Sequence, residues 1–160
     1  MASKVRTKSA TIRERLDHPI VDSDGHASEF EPIMFDYLRD AGGSGAVERF
    51  KKMSHFYKPI WFDMSAEERR EKRVTRPHWW VHPIKNTLDR ATSSLPRLMY
   101  ERLDEMGLDF TMVCPSLGFG ALHLPDDELR SVACRAFNTF HAEVYAEFSD
   151  RITPTAIIPM

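Results

Sequence analysis

The chain has no run of about 20 apolar residues, the length a membrane-spanning helix needs, so the sequence gives no membrane partner. Its first 15 residues contain no apolar core segment, which excludes a secretory leader. They carry Lys4, Arg6, Lys8, Arg13 and Arg15 against the one acid Glu14, and residues 1–19 read as a basic, flexible, solvated tail. Cysteine is scarce. Cys114 and Cys134 form no disulfide framework and no CxxC motif, which fits free buried thiols in a reducing compartment and a cytoplasmic location. Neither sign of charge dominates: 22 basic residues face 24 acidic ones, so there is no electrostatic case for nucleic acid as a partner. Internal repeats and low-complexity segments are also missing. What is present is an ordinary globular composition, 42% hydrophobic and 29% charged, in a chain long enough for one compact domain with a core.

The most telling segment is Pro19-Ile20-Val21-Asp22-Ser23-Asp24-Gly25-His26. A short β-branched stretch runs into alternating acids, small residues and a histidine. Residues two apart in a strand point to the same side. Asp24 and His26 therefore project together from the C-terminal end of a first strand, and a carboxylate with an imidazole at that spacing can grip one divalent metal ion. The competing reading is that Asp and His beside a glycine are ordinary turn residues.

Further along, residues 31–40 have a helical apolar face, which Gly42-Gly43 interrupts, and residues 44–57 read as a second short helix. Ser65-Ala66-Glu67-Glu68 has the form of a capping box at the start of a highly charged helix. Residues 95–106 form a helix that Gly107 ends, and residues 108–115 form a second buried strand. Asp126 or Asp127 caps a long helix to about Phe148, with Leu129, Val132, Ala133, Ala136, Phe137, Phe140 and Val144 in its core-facing stripe. A third strand is expected over residues 152–159. Strands alternating with helices predict an α/β fold with a parallel sheet. Three such strands leave a parallel sheet unfinished, so the chain reads as the N-terminal part of a longer domain.

Two prolines break the segment Arg76-Pro77-His78-Trp79-Trp80-Val81-His82-Pro83. Trp79 and Trp80 supply large contact areas, either as a wall of a substrate pocket or as a packed loop that seals the fold. His123, in the loop after the second strand, is a candidate substrate contact, since that is the side on which such sites lie. His141, within the long helix, reads as a surface or packing residue.

In these motifs the chain resembles the metal-dependent amidohydrolase superfamily. The closer likeness is to the branch that includes aminocarboxymuconate-semialdehyde decarboxylase-like enzymes. Ile20-Val21-Asp22-Ser23-Asp24-Gly25-His26 is similar to the first-strand motif. The likeness continues through Arg76-Pro77-His78-Trp79-Trp80, Asn86-Thr87-Leu88-Asp89-Arg90-Ala91-Thr92, Arg102-Leu103-Asp104-Glu105-Met106-Gly107-Leu108-Asp109-Phe110, Arg135-Ala136-Phe137-Asn138 and Ile157-Ile158-Pro159. It covers most of the chain from Ile20 onward.

The resemblance implies that residues 20–160 form about the first three strands of a (β/α)8 TIM barrel. Its site would lie at the C-terminal ends of the strands. The common His-x-His pattern of the first strand stands here as Asp24 and His26, the implied metal ligands. Acidic replacements at the first position occur among the decarboxylase-like members. A carboxylate in place of an imidazole suits Mn somewhat better, and Zn remains open. The family's later ligands, a histidine and an aspartate, fall beyond Met160, so no catalytic acid or base is assigned. The implied activity is that of a metal-dependent hydrolase or a non-oxidative decarboxylase. The implied partner is a small carboxylated or cyclic substrate, aromatic ones included, with a homo-oligomer left open. The alternatives are a truncated, inactive fragment and a small α/β binding domain completed by a partner.

Overall fold

A computed structural model describes residues 6–53, 64–71 and 86–160. The protein is a mixed α/β structure built on a three-stranded parallel sheet of order β1-β2-β3, with β1 at Val21–Ala27, β2 at Phe110–Pro115 and β3 at Ile152–Pro154. The helices are α1 (Lys8–Arg13), α2 (Glu31–Met53), α3 (Ala66–Glu71), α4 (Thr87–Ser94), α5 (Pro96–Met106), α6 (Gly118–Ala121) and α7 (Asp127–Tyr145), which runs into a 3-10 turn at Ala146–Phe148. No helix among the described residues is long and apolar enough to cross a membrane.

Local chemistry sets most of the boundaries. The Asp126 side chain accepts the Leu129 N–H at 2.9 Å and opens α7, and Asn86 does the same for α4 through Asp89. The capping box at α3 is formed in both directions: Ser65 Oγ accepts from Glu68 N at 3.1 Å, and Glu68 Oε2 accepts from Ser65 N at 2.8 Å. Pro96 occupies the first turn of α5, and Gly107 ends it in the left-handed region at φ 77°, ψ 30°. Gly43, at φ 76°, breaks α2 into two helical segments where the glycine pair predicts an interruption.

α7 is the central packing element. One flank meets α2, where Leu129 and Phe137 pack with Met34, Leu38 and Phe50. At its far end, Tyr145 joins Met99 and Leu103 of α5 over Ala27, Val113 and Ile152 of the sheet. One face of the sheet is therefore dry: Thr111 and Val113 of β2 and Ile152 of β3 are buried. The opposite face carries Phe110, Met112 and Cys114, each only partly buried. Both crossovers thus bring helices to the same side of the sheet.

Three sequence expectations differ from the structure. The residues read as a flexible tail include α1, whose Thr7 hydroxyl bonds the Glu105 carbonyl of α5. Arg13 forks onto Asp109, with Nη2 to Oδ1 at 2.8 Å, so this part of residues 1–19 is docked rather than solvated. The third strand is shorter than residues 152–159. After Thr155 N bonds Val113 O at 2.9 Å, the chain leaves the ladder, and the Asn138 side chain takes over both backbone groups of Ile157 at 2.9 Å each. The buried stripe of α7 is also rotated slightly from the apolar reading. Cys134, His141 and Tyr145 are buried, whereas Val132, Phe140 and Val144 are only partly so.

Candidate functional site

β1 is longer than its β-branched start suggests, because it pairs with β2 on both sides of a bulge. Asp22 sits opposite Thr111 and Gly25 opposite Val113, so three steps on β1 match two on β2. The Asp22 carboxylate stabilises the extra residue. Its Oδ1 accepts the Asp24 N–H at 3.0 Å, and its Oδ2 accepts from the Thr111 hydroxyl at 3.3 Å. Gly25 is required by crowding: a Cβ there would stand 2.6 Å from the Met112 carbonyl oxygen.

Past the bulge, His26 lies opposite Cys114 and shares its side of the sheet, the one turned away from the helices. Asp24 and His26 are brought together there, with Oδ1 and Nε2 4.0 Å apart. The imidazole is mostly buried, at 27% exposure, and the carboxylate is fully open, at 99%. The other ring nitrogen of His26, Nδ1, lies 3.4 Å from Ser116 Oγ, and the Phe119 ring stands edge-on to the imidazole with centroids 6.2 Å apart.

The pair fits a divalent ion. Metal–ligand bonds of about 2.0–2.2 Å place two donors of one tetrahedral ion about 3.4 Å apart. The exposed Asp24 side chain has the freedom to close that gap from 4.0 Å, while Ser116 fixes the histidine from behind. A mixed carboxylate–imidazole set is chemically suited to Zn or Mn. Among the described residues, no third His, Cys, Asp or Glu completes a metal-binding group.

Of the other sequence candidates, His123 is exposed in the turn after α6. Trp79 and Trp80, together with His78 and His82 of the same segment, lie outside the described residues. Cys134 is buried within the helical core, and burial pushes its thiol up, away from nucleophilic use.

Sequence reasoning missed Ser116 and Glu29 around this site, and gave His141 only a surface or packing role. Ser116 is fully buried in the turn after β2. Glu29, two residues past β1, is buried with its carboxylate between His141 Nε2 at 2.9 Å and the Leu117 N–H at 2.8 Å. His141 is 2% exposed and stacks flat on Tyr145, with the ring planes 2° apart. Burial, with the nearby Glu29 charge, drives the Tyr145 phenol well above its ordinary range. The only sequence signal for Glu29 was its closeness to His26, since its partner lies 112 residues away.

Compared with known proteins, the chain matches no family model, no curated protein and no solved structure.

Proposed function

We propose that these three strands are the first of a (β/α)8 barrel of the amidohydrolase type, in which Asp24 and His26 hold a divalent metal ion, Zn or Mn. The observation that carries this reading is the 4.0 Å approach of Asp24 Oδ1 and His26 Nε2 on the side of the sheet away from the helices. The order β1-β2-β3, all parallel with helices on one side, supports it, because a barrel keeps sequential strands adjacent. A doubly wound sheet reverses its order and covers both faces. The motif resemblance supports the same reading.

In this account His26 supplies Nε2 as a neutral donor, and Ser116 orients its ring from Nδ1. Asp24 supplies a negative oxygen at the solvent edge. When bound, the metal would polarise a carbonyl or carboxylate oxygen of the substrate and lower the pKa of bound water. Phe119, beside His26, gives the site an apolar wall suited to a planar or cyclic substrate. The reaction is hydrolysis or non-oxidative decarboxylation of a small carboxylated or cyclic compound.

Calorimetric titration with Zn²⁺ and with Mn²⁺ tests the reading. Saturable 1:1 binding that is lost in both Asp24→Asn and His26→Gln supports it, and binding unchanged in both variants contradicts it. With metal loaded, CO₂ release from carboxylated aromatics marks a decarboxylase, and ring opening or amide cleavage marks a hydrolase.

A non-catalytic reading also has an observation in its favour. Phe110, Met112 and Cys114 leave one face of the sheet only partly covered among the described residues. A module completed by a partner or by a second copy would bury that face. Sedimentation over a range of concentrations, with Met112→Glu as the control, separates it from the enzyme reading.

A further inference from the structure

Glu29 and His141 make a buried ionisable pair that the metal reading does not use. The Glu29 side chain is fully buried and that of His141 is 2% exposed. Taking a carboxylate out of water is costly unless each oxygen is bonded. Here both are: Oε1 meets His141 Nε2 at 2.9 Å, and Oε2 accepts the Leu117 N–H at 2.8 Å. His141 Nδ1 has no hydrogen-bond partner among the described residues. A bare lone pair is cheaper to leave there than an unpaired N–H, so the bonding pattern assigns the proton to Nε2, donating to Glu29.

The pair joins three separate pieces of the fold: the segment leaving β1, the turn leaving β2, and the last part of α7. The turn it fixes is Ser116-Leu117. Leu117 is held by Glu29, and Ser116 is held by the Ala27 carbonyl, which accepts its N–H at 3.1 Å. Two bonds from the end of β1 therefore set where the Ser116 hydroxyl stands, and it stands 3.4 Å from His26 Nδ1. The neighbouring nitrogen, Nε2, is the one that faces Asp24.

We propose that Glu29 and His141 are positioning residues for His26: through the Ser116-Leu117 turn they hold the imidazole with its proton on Nδ1 and its Nε2 lone pair turned toward Asp24. The purpose of the device rests on the metal-site reading, but its geometry does not. A ring that must offer one particular nitrogen to a cation gains when the other nitrogen is tied down in advance. A pair that merely stabilised the fold would leave the protonation pattern of His26 indifferent to its removal.

The test uses the metal-free protein with ¹⁵N-labelled histidine, in alkaline buffer, where long-range ¹H–¹⁵N spectra report the tautomer of each ring. The wild type is expected to hold His26 in the Nδ1–H form. Ser116→Ala and His141→Leu are each expected to shift His26 toward the Nε2–H form, and His141→Gln, which keeps a donor for Glu29, to restore the wild-type pattern. If His141→Leu does not fold, Glu29→Asp, which draws the carboxylate back by one methylene, is expected to give the same shift. An Nε2–H form in the wild type overturns the proposal. So does a wild-type His26 spectrum in Ser116→Ala, or in folded His141→Leu or Glu29→Asp. Because no metal is present, a protein that shows the shift yet binds no Zn²⁺ or Mn²⁺ sinks the metal reading alone. A protein that binds metal without the shift sinks this proposal alone.

Discussion

Ser116 Oγ stands 3.4 Å from Nδ1 of His26, on the opposite side of the ring from the nitrogen that faces Asp24. A first-strand histidine is thus supported by the turn that follows the second strand, and the two strand ends act as one unit. Outer partners of metal-binding histidines typically contribute about 10-fold or more to affinity. Ser116→Ala is accordingly expected to weaken Mn²⁺ binding about 10-fold while leaving the circular dichroism spectrum unchanged. Calorimetry on the two proteins checks this, and equal affinities would show that the serine does not act on His26.

Gly25 faces the backbone of β2, with the Met112 carbonyl oxygen 2.6 Å from the place a Cβ would occupy. Backbone cannot yield as a flexible side chain can. Gly25→Ala is expected to cost about 1–3 kcal/mol, as overpacking does, and to loosen the Asp24–His26 geometry as well. Gly45→Ala is the control, because nothing lies within 4 Å of its Cβ position. There the gain in helix propensity is expected to raise stability by about 0.5 kcal/mol. Urea midpoints decide both.

The Asp109 carboxylate holds the approach to β1. It accepts from the Arg13 guanidinium and from the Ile20 N–H at 2.7 Å, and these bonds, Arg13 first, pull its pKa from 3.8 down to about 2. A group whose pKa is lower in the folded state adds stability above its unfolded value and loses it as the pH falls through the folded one. Stability is therefore expected to drop as the pH falls from 3.8 toward about 2. In Asp109→Asn that part of the loss is expected to be smaller. Denaturation midpoints measured across this window test it, and parallel curves for the two proteins would count against it.

Gly107 closes α5 in the left-handed region at φ 77°, and a Cβ there would meet the Ser9 carbonyl oxygen of α1 at 2.7 Å. Gly107→Ala suffers both the backbone penalty of about 1–2 kcal/mol and the collision with α1. Gly107→Asn tolerates the left-handed region better, but its Cβ meets the same Ser9 carbonyl. Both variants are therefore expected to melt below the wild type, Gly107→Ala the lower. Thermal melts separate strain from contact, and a Gly107→Asn protein as stable as the wild type would mean that α1 is not firmly docked.

The parts of this fold that the sequence makes legible are those written locally. The Asp126 cap, the Ser65–Glu68 capping box, the Gly43 break and the Gly107 stop each involve residues within a few positions of one another, and each is found where its chemistry predicts. The same holds for Asp24 and His26, whose meeting needs only strand periodicity. The features that escaped depend on distant partners. Arg13 docks α1 onto a residue 96 positions away, and Glu29 meets His141 across 112. Neither pairing leaves a pattern in its own neighbourhood. The early end of β3 is of the same kind, since the Asn138 side chain replaces a strand partner for Ile157. From α7 alone His141 reads as a surface or packing residue, because its buried partner Glu29 belongs to the segment after β1.

The most direct measurement is a substoichiometric Mn²⁺ titration followed by ¹H–¹⁵N correlation spectra, since the paramagnetic ion erases the amide signals nearest to it. The account predicts that the amides of residues 23–27, with those of Ser116 and Leu117, fade first, and that Asp24→Asn removes this pattern. Signal loss centred instead on the exposed acids of α3, Glu67, Glu68 and Glu71, or a pattern indifferent to Asp24, would contradict it.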